Sequence, residues 1–404
     1  MNITLFNVYF GSESLGTGLV AYDLAIALAQ AGHDVRVVTS SADYGSLEPR
    51  STPRGTDMSP HVRVTVTRIP VPYFIRIARL RRAALYGIYL LAAGPCGLRG
   101  PRPDVVLSII PPSLAGLPAQ FVAHVCGARL VLDVEDLYGG DGFRSGIAGW
   151  CNAMVERWML RNASCIRVLT ASMASHIRSI AGRDDRTRVV PVWTDHDAIT
   201  PSGDGLAFRR EHGLEGAFVI LHSGNIGALG GQSVVLDAAE RLRSDATYRF
   251  VFVGGGYGAT RLREEASRRN LRNVCFLERV PRVRISDMLA SGDLALSTLD
   301  SRIRQTSTPS KTFSYMAAGL PILAVLDELN AAARAVRLAG CGWIVPPGST
   351  EALCEAIVSA RDLPAATRRA IGMAGREFVQ REHSKDRCTS NFVRLVESAC
   401  PASS

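Results

Sequence analysis

Lysine is almost missing from this chain: of 46 lysine and arginine residues only Lys311 and Lys385 are lysines. An ammonium is a compact point charge where a guanidinium is a planar fork, so a position that keeps a lysine against this bias is a candidate for contact with an anion. Acidic residues are missing between Met58 and Pro103, a stretch holding Arg63, Arg68, Arg76, Arg79, Arg81, Arg82, Arg99 and Arg102. The nine cysteines include no Cys-x-x-Cys pair and meet no histidine cluster at ligand spacing, which excludes a zinc site or disulfide framework of the usual kinds. No apolar run reaches the roughly 20 residues that span a bilayer; the longest, Ala83 to Leu98, contains Gly87, Gly94 and Pro95. The first residues lack the basic start and apolar run of roughly 7–15 residues of a secretory signal, so a cytoplasmic protein is expected.

What is present is a folded chain of 404 residues, 47% hydrophobic and 21% charged, a length that implies two domains. Strand-like Asn2 to Phe6 leads into the loop Gly11 to Gly18, then into Leu19 to Ala31 with helical spacing and a strand at Val35 to Thr39. This βαβ unit with a glycine loop at the helix start is the building block of doubly wound α/β sheets. Further units follow with strands at Val105 to Ile110, Leu130 to Val134, Cys165 to Thr170 and Thr187 to Val192, and with helices at Leu114 to Cys126 and around Trp150 to Arg161. Polar residues from Trp193 to Gly205 suggest a hinge. A second series has strands at Val219–Ser223, Phe250–Val253, Val274–Leu277, Leu294–Ser297, Ile322–Val325 and Gly342–Val345, alternating with helices. The expected organisation is two Rossmann-like doubly wound domains, 1–195 and 196–380, facing a central cleft, and a C-terminal helix and tail, 381–404, packing back toward the first.

Three glycine loops follow strands, where backbone N–H groups at a helix start attract phosphate oxygens: Gly16-Thr17-Gly18, Gly224-Asn225-Ile226-Gly227 and Gly254-Gly255-Gly256. Each is equally the mark of a tight turn. Thr308 to Pro321 is more informative. Ser310 reads as an N-cap, and Lys311 falls in a first helical turn, where the helix dipole disfavours a cation unless an anion is bound there.

In the order and spacing of these segments, together with Leu24 to Val35 and Val190 to Asp195, the chain resembles the retaining glycosyltransferases of family 4, of GT-B fold. The resemblance covers most of the chain and implies a nucleotide-diphosphate sugar, a UDP-sugar above all, bound mainly by the C-terminal domain. Donor contacts would come from Gly16, Gly18, Gly224, Asn225, Gly227, Gly255, Ser310, Lys311, Thr312 and Ser314, with the base near Arg279 and Val280. Catalysis would rest on Lys311, as electrostatic stabiliser of the leaving diphosphate, and on Glu135 and Asp136. The family often has His-Asp at that place, and a carboxylate at a strand's carboxyl end can accept the attacking hydroxyl's proton; Asp133 reads as structural. Two family glutamates are replaced by Thr306 and Ser314, and the family's arginine and lysine after the first C-domain strand by the stretch Ala228 to Gly231, as in a subgroup resembling transferases of surface-polysaccharide amino sugars. No metal or other cofactor is implied.

The net charge of +9 suits a phosphate-bearing substrate or a membrane. A lipid-linked or small-molecule acceptor is expected, with peripheral membrane contact through Arg76 to Leu98 and no nucleic acid; an ordinary basic helix over the sheet explains that segment equally well. A nicotinamide enzyme is disfavoured because Gly11 to Gly18 lacks the Gly-x-Gly-x-x-Gly spacing. A sugar-nucleotide epimerase on the same scaffold, a transferase with a soluble secondary-metabolite acceptor and a non-catalytic membrane-docked binding protein remain as alternatives.

Overall fold

The computed structural model describes residues 1–14, 16–42, 63–71, 78–137, 146–182, 185–227, 230–256, 258–305 and 307–399, with the backbone alone at 78–79 and 146–148. Arg76, Tyr138, Ala228, Leu229 and Thr306 thus lie outside the described residues. The chain divides into two compact units, Met1–Pro191 with Cys388–Ser404, and Val192–Arg387.

The first unit runs β1 (Asn2–Phe6), α1 (Thr17–Gln30), β2 (Asp34–Ser40), β3 (Val64–Ile69), α2 (Ala78–Gly97), β4 (Val105–Ile110), α3 (Leu117–Cys126), β5 (Arg129–Val134), α4 (Gly146–Asn162), β6 (Cys165–Val168), α5 (Ala171–Ala181) and β7 (Thr187–Val189). Its seven strands form one sheet in the order β3-β2-β1-β4-β5-β6-β7, and every described pairing is parallel. Strands covered on both faces read as continuous apolar runs, and all six residues of β4 are buried. The order reverses between β1 and β4, so the loops beyond their carboxyl ends diverge and leave room for a ligand there.

Two elements sharpen the sequence reading, the first deciding for the basic helix that it had left open. The stretch from Ala78 to Gly97 is one helix that passes through Pro95, with Leu85, Tyr89 and Ala93 on its buried side; Gly97 allows it to cross Phe6, whose Cζ would lie 2.4 Å from an added Cβ. The helix expected from Leu114 begins as a 3-10 turn, Ser113–Gly116, before α3.

The second unit contains α6 (Gly205–Glu211), β8 (Phe218–Ser223), α7 (Ser233–Arg241), β9 (Tyr248–Val253), α8 (Ala259–Arg268), β10 (Val274–Leu277), α9 (Ile285–Ala290), β11 (Leu294–Thr298), α10 (Lys311–Ala317), β12 (Ile322–Val325), α11 (Ala331–Ala339), β13 (Gly342–Val345), α12 (Thr350–Asp362) and α13 (Ala365–Glu382), after which α14 (Lys385–Ala399) carries the chain into the first unit. The six parallel strands lie in the order β10-β9-β8-β11-β12-β13, again reversing at the first strand of the series. The polar stretch up to Gly205 is packed within this unit: Thr200 N–H donates to Ser286 Oγ at 3.1 Å and Asp204 N–H to Asp287 Oδ1 at 2.9 Å. The core under β8, β9, β11 and β12 includes Ile220, Phe250, Phe252, Leu296 and Leu323, all nearly inaccessible.

Candidate active site

In the second unit the carboxyl ends of β8 and β11 receive the start of α10. Three side chains of that helix fix it there. Thr312 Oγ1 lies 2.7 Å from Ser297 Oγ in a buried contact. The fully buried Tyr315 hydroxyl accepts from Ser223 N–H at 2.8 Å, and Lys311 Nζ lies 2.8 Å from His222 Nε2 and 3.5 Å from Asn225 O. Asn330 holds the approach to the helix: it caps α11 through Ala332 N–H at 3.0 Å while its Nδ2 donates to the carbonyls of Arg304 and Ser307, both at 2.9 Å.

Lys311 is therefore held over Gly224 by the fold itself; an added Cβ at Gly224 would lie 3.9 Å from Lys311 Cε. Among the described residues no carboxylate forms an ion pair with it, and burial pulls its pKa from 10.5 down to about 7. His222, 1% exposed, is held neutral by burial and by the neighbouring ammonium. Its Nε2 then accepts from Lys311, which leaves the proton on Nδ1, a buried atom with no hydrogen-bond partner among the described residues. An ammonium has three donors, and two acceptors hold it, so one direction is left for an anion.

The loops around this lysine explain why their glycines are glycines. Gly224 has φ of +103° and Gly254 of +123°, and a Cβ on Gly254 would meet Gly224 O at 2.4 Å. Gly256, at φ +137°, would meet Asn225 Oδ1 at 2.1 Å. The loops 223–227 and 254–256 are packed backbone to backbone, joined by Ile226 N–H to Gly255 O at 2.8 Å. Gly255 and Asn225 face solvent, and an added Cβ at Gly255 would find open space.

Several expected donor residues sit differently from the sequence reading. Ser310 is not a side-chain cap; it has helical φ and ψ, and its hydroxyl makes no capping bond. Thr312 turns its hydroxyl into the core, and its N–H is taken by Pro309 O at 3.1 Å, so neither group faces a ligand. Ser314 is half-buried on the same helix, Arg279 is exposed and Val280 half-buried just after β10, and Gly227 lies half-buried in the loop after β8. In the first unit Gly16 is exposed, with φ of +53°, at the start of α1. Gly18 is buried, where a Cβ would stand 2.2 Å from Ser14 Oγ, so its role is to let α1 approach its own loop.

Also in the first unit, the register of β5 and β6 sets Asp133 opposite Arg167. Arg167 is completely buried and donates to Asp133 Oδ1 at 2.7 Å, to Glu135 Oε1, and to the carbonyls of Val190 and Pro191 at 2.8 and 3.0 Å. Two carboxyls thus share one guanidinium. Burial raises both carboxyls' pKa values against the pull of Arg167, that of Glu135 to about 7, while Asp133 Oδ2 has no hydrogen-bond partner among the described residues. Glu135 keeps 15% of its side chain accessible at the strand's carboxyl end, and Asp136 is half-buried beside it. Sequence reading missed His222, Tyr315 and Arg167. The spacing of Lys311 and Tyr315, four apart on one helix face, was the available signal for Tyr315.

Comparison with known families agrees with this architecture. Residues 16–193 match the family described as glycosyl transferase 4-like domain, and residues 206–378 match glycosyl transferases group 1. The chain belongs to the family 4 glycosyltransferases. It is similar over 98% of its length, at 25% identity, to the whole of the putative colanic acid biosynthesis glycosyl transferase WcaI of Escherichia coli. Among solved structures, sucrose-phosphate synthase of Thermosynechococcus elongatus superposes with a TM-score of 0.81 at 18% identity over all of both chains. HepE of Anabaena, in complex with UDP and glucose, does so at 0.76 and 17% over 98% of this chain and all of that one. The two parallel sheets are those of the GT-B fold, and this family 4 member is a glycosyltransferase.

Proposed function

We propose that this glycosyltransferase moves a hexose or N-acetylhexosamine from a UDP-sugar to a hydroxyl of a lipid-linked or polysaccharide-precursor acceptor, with retention at the anomeric carbon and without a metal ion. The observation that carries the reading is Lys311: an ammonium without a carboxylate partner among the described residues, fixed at a helix start against a solvent-facing glycine loop. Without an anion its charge is costly, and burial lowers its pKa to about 7; an anion laid against it restores the ammonium. A departing diphosphate supplies that anion, and its charge grows as the glycosidic bond breaks, so a preorganised ammonium stabilises the transition state more than the ground state. Support comes from HepE, seen with UDP and glucose, and from WcaI, named for colanic acid biosynthesis.

Donor contacts are assigned to Lys311, to the loop Gly224, Asn225 and Gly227, and to Gly255, with the base beside Arg279 and Val280 and with Gly16 and Ser314 as further candidates. Glu135, with Asp136 adjacent, is assigned to the acceptor's proton. The test is release of UDP from a panel of UDP-sugars in the presence of candidate acceptors. Lys311→Ala is expected to cut turnover about a hundredfold or more, the scale of losing one preorganised charge stabiliser. A loss under about threefold, or no UDP release from any donor by the wild type, removes the basis of the reading.

A further inference from the structure

The helices α2, α3 and α4 all pack against the turn Ser113–Gly116, and α5 packs on α4, so the four form a continuous layer in the first unit. Their sequences hold one acidic residue, Glu156. It is fully buried and accepts from Ser113 Oγ at 2.9 Å, so the layer's solvent side carries no negative charge. On α4 the core is met by Met159 and Leu160, both 0% exposed, while Trp150, Met154 and Trp158, on successive turns, are 62, 53 and 49% exposed. Arg157 and Arg161 are exposed on the same side of the helix.

Half-exposed tryptophans repeated at helical spacing are not what a helix needs to cover a sheet, since the apolar stripe that does this is already supplied from the other side. Indole rings combine an apolar body with a polar N–H and favour the boundary between hydrocarbon and water; arginines reach from there to phosphate. We propose that this layer, centred on Trp150, Met154, Trp158, Arg157 and Arg161 of α4, is a docking surface for an anionic lipid bilayer, with α4 lying in the headgroup region. Charge selects this occupant. A second copy bound by the same patch across a two-fold axis would set arginines against arginines, whereas anionic lipid heads neutralise them. The proposal stands on the first unit alone and does not rest on the donor site. It extends the expected membrane contact from α2, where Leu85, Tyr89 and Ala93 are core while Leu80 and Leu91 are exposed, to the outer side of α4.

The test uses the full chain and extruded vesicles, of phosphatidylcholine alone or with about one-third phosphatidylglycerol, read by co-sedimentation and by quenching of tryptophan emission with brominated lipids. Binding is expected to the anionic vesicles and to be weak on the neutral ones. Arg157→Gln with Arg161→Gln should lower partitioning about thirtyfold, at roughly 1 kcal/mol per arginine near the surface. Trp150→Ser with Trp158→Ser should lower it at least about tenfold and abolish the quenching. Leu206→Ser, a similarly exposed residue of the second unit, 70% accessible, should leave both unchanged. The arginine pair and Leu206→Ser concern exposed side chains and should keep the wild-type melting temperature, while the tryptophan pair, half covered by the fold, should stay folded and cooperative with a lowered one. Equal binding to both vesicle types, no binding, or partitioning unmoved by the α4 variants overturns the proposal. So does a wild-type dimer in vesicle-free sedimentation that the tryptophan pair variant converts to monomer, which would give the face to a second copy.

Discussion

Binding of UDP should carry a proton with it. In the free protein burial holds Lys311 at about 7, and its partner His222 is neutral, so between pH 7 and 9 much of the protein has an uncharged amine at position 311. A diphosphate laid against Nζ favours the ammonium and raises its pKa back toward the ordinary lysine range. The free protein must then take up a proton on binding whenever the pH exceeds about 7. With a free pKa near 7 and a bound one well above 9, about 0.9 proton is absorbed at pH 8, and affinity falls about fifteenfold from pH 7 to pH 8.5. Titration calorimetry in two buffers of different ionisation enthalpy counts that proton directly. The sign for stability follows from the same shift. A lysine whose folded pKa lies below its unfolded 10.5 weakens the fold as pH falls from there toward about 7. Lys311→Met should therefore raise the melting temperature of the empty protein at pH 7, abolish the proton uptake and lose most of the rise in melting temperature that UDP gives. Wild-type binding without proton uptake at pH 8, or undiminished uptake in Lys311→Met, refutes the reasoning.

Three further outcomes are expected. Glu135, its carboxyl raised to about 7 first by burial, ionises across neutral pH; kcat/KM for transfer should climb with pH through that range, and Glu135→Gln should remove the climb, cost about a hundredfold in rate and leave UDP affinity unchanged. Arg167→Met strands Asp133 and Glu135 in the first unit's interior and should destabilise folding by about 3–5 kcal/mol in urea titrations at pH 8; a cost under about 1 kcal/mol would mean the cluster is not held by its ions. Gly256→Ala must fit a Cβ at φ +137° and 2.1 Å from Asn225 Oδ1, and should lower stability by at least about 2 kcal/mol, read as an earlier urea midpoint.

The second unit was the more legible half of the chain because its strands are short apolar runs punctuated by glycine and proline: all six observed strands overlap the six read from sequence. In the first unit β3 escaped notice, since Val64-Thr65-Val66-Thr67-Arg68-Ile69 alternates as a half-covered strand does, unlike the fully buried and mostly apolar β4. For α2 the sequence allowed a basic helix over the sheet and a docking segment equally, and Pro95 hid its full extent, because proline inside a helix removes a hydrogen bond and reads as a stop. Four of the helices that cover the sheets, α5, α6, α12 and α13, also went unread; polar faces on both strand-linking and C-terminal helices blur the period that strands show plainly.

At the site, the legible signals were chemical and the hidden ones were relational. Lys311 stood out because lysine is scarce here, and that scarcity is visible without a fold. His222 did not, because a polar residue closing a strand is ordinary; only the landing of α10 across β8 and β11 turns it into the acceptor that holds Lys311. Arg167 is the sharper case. Arginine is rarely buried completely, and a strand reading Cys-Ile-Arg-Val would normally send that side chain to water; the register placing Asp133 opposite it is what reverses the expectation. The glycine loops taught the opposite lesson. Gly18, Gly254 and Gly256 were read for phosphate, but each is required by the protein's own packing: an added Cβ would stand 2.2 Å from Ser14 Oγ, 2.4 Å from Gly224 O and 2.7 Å from Ile226 O. A glycine pattern at strand ends therefore certifies the packing of the loops first, and a ligand contact only where, as at Gly255, the missing side chain opens on solvent.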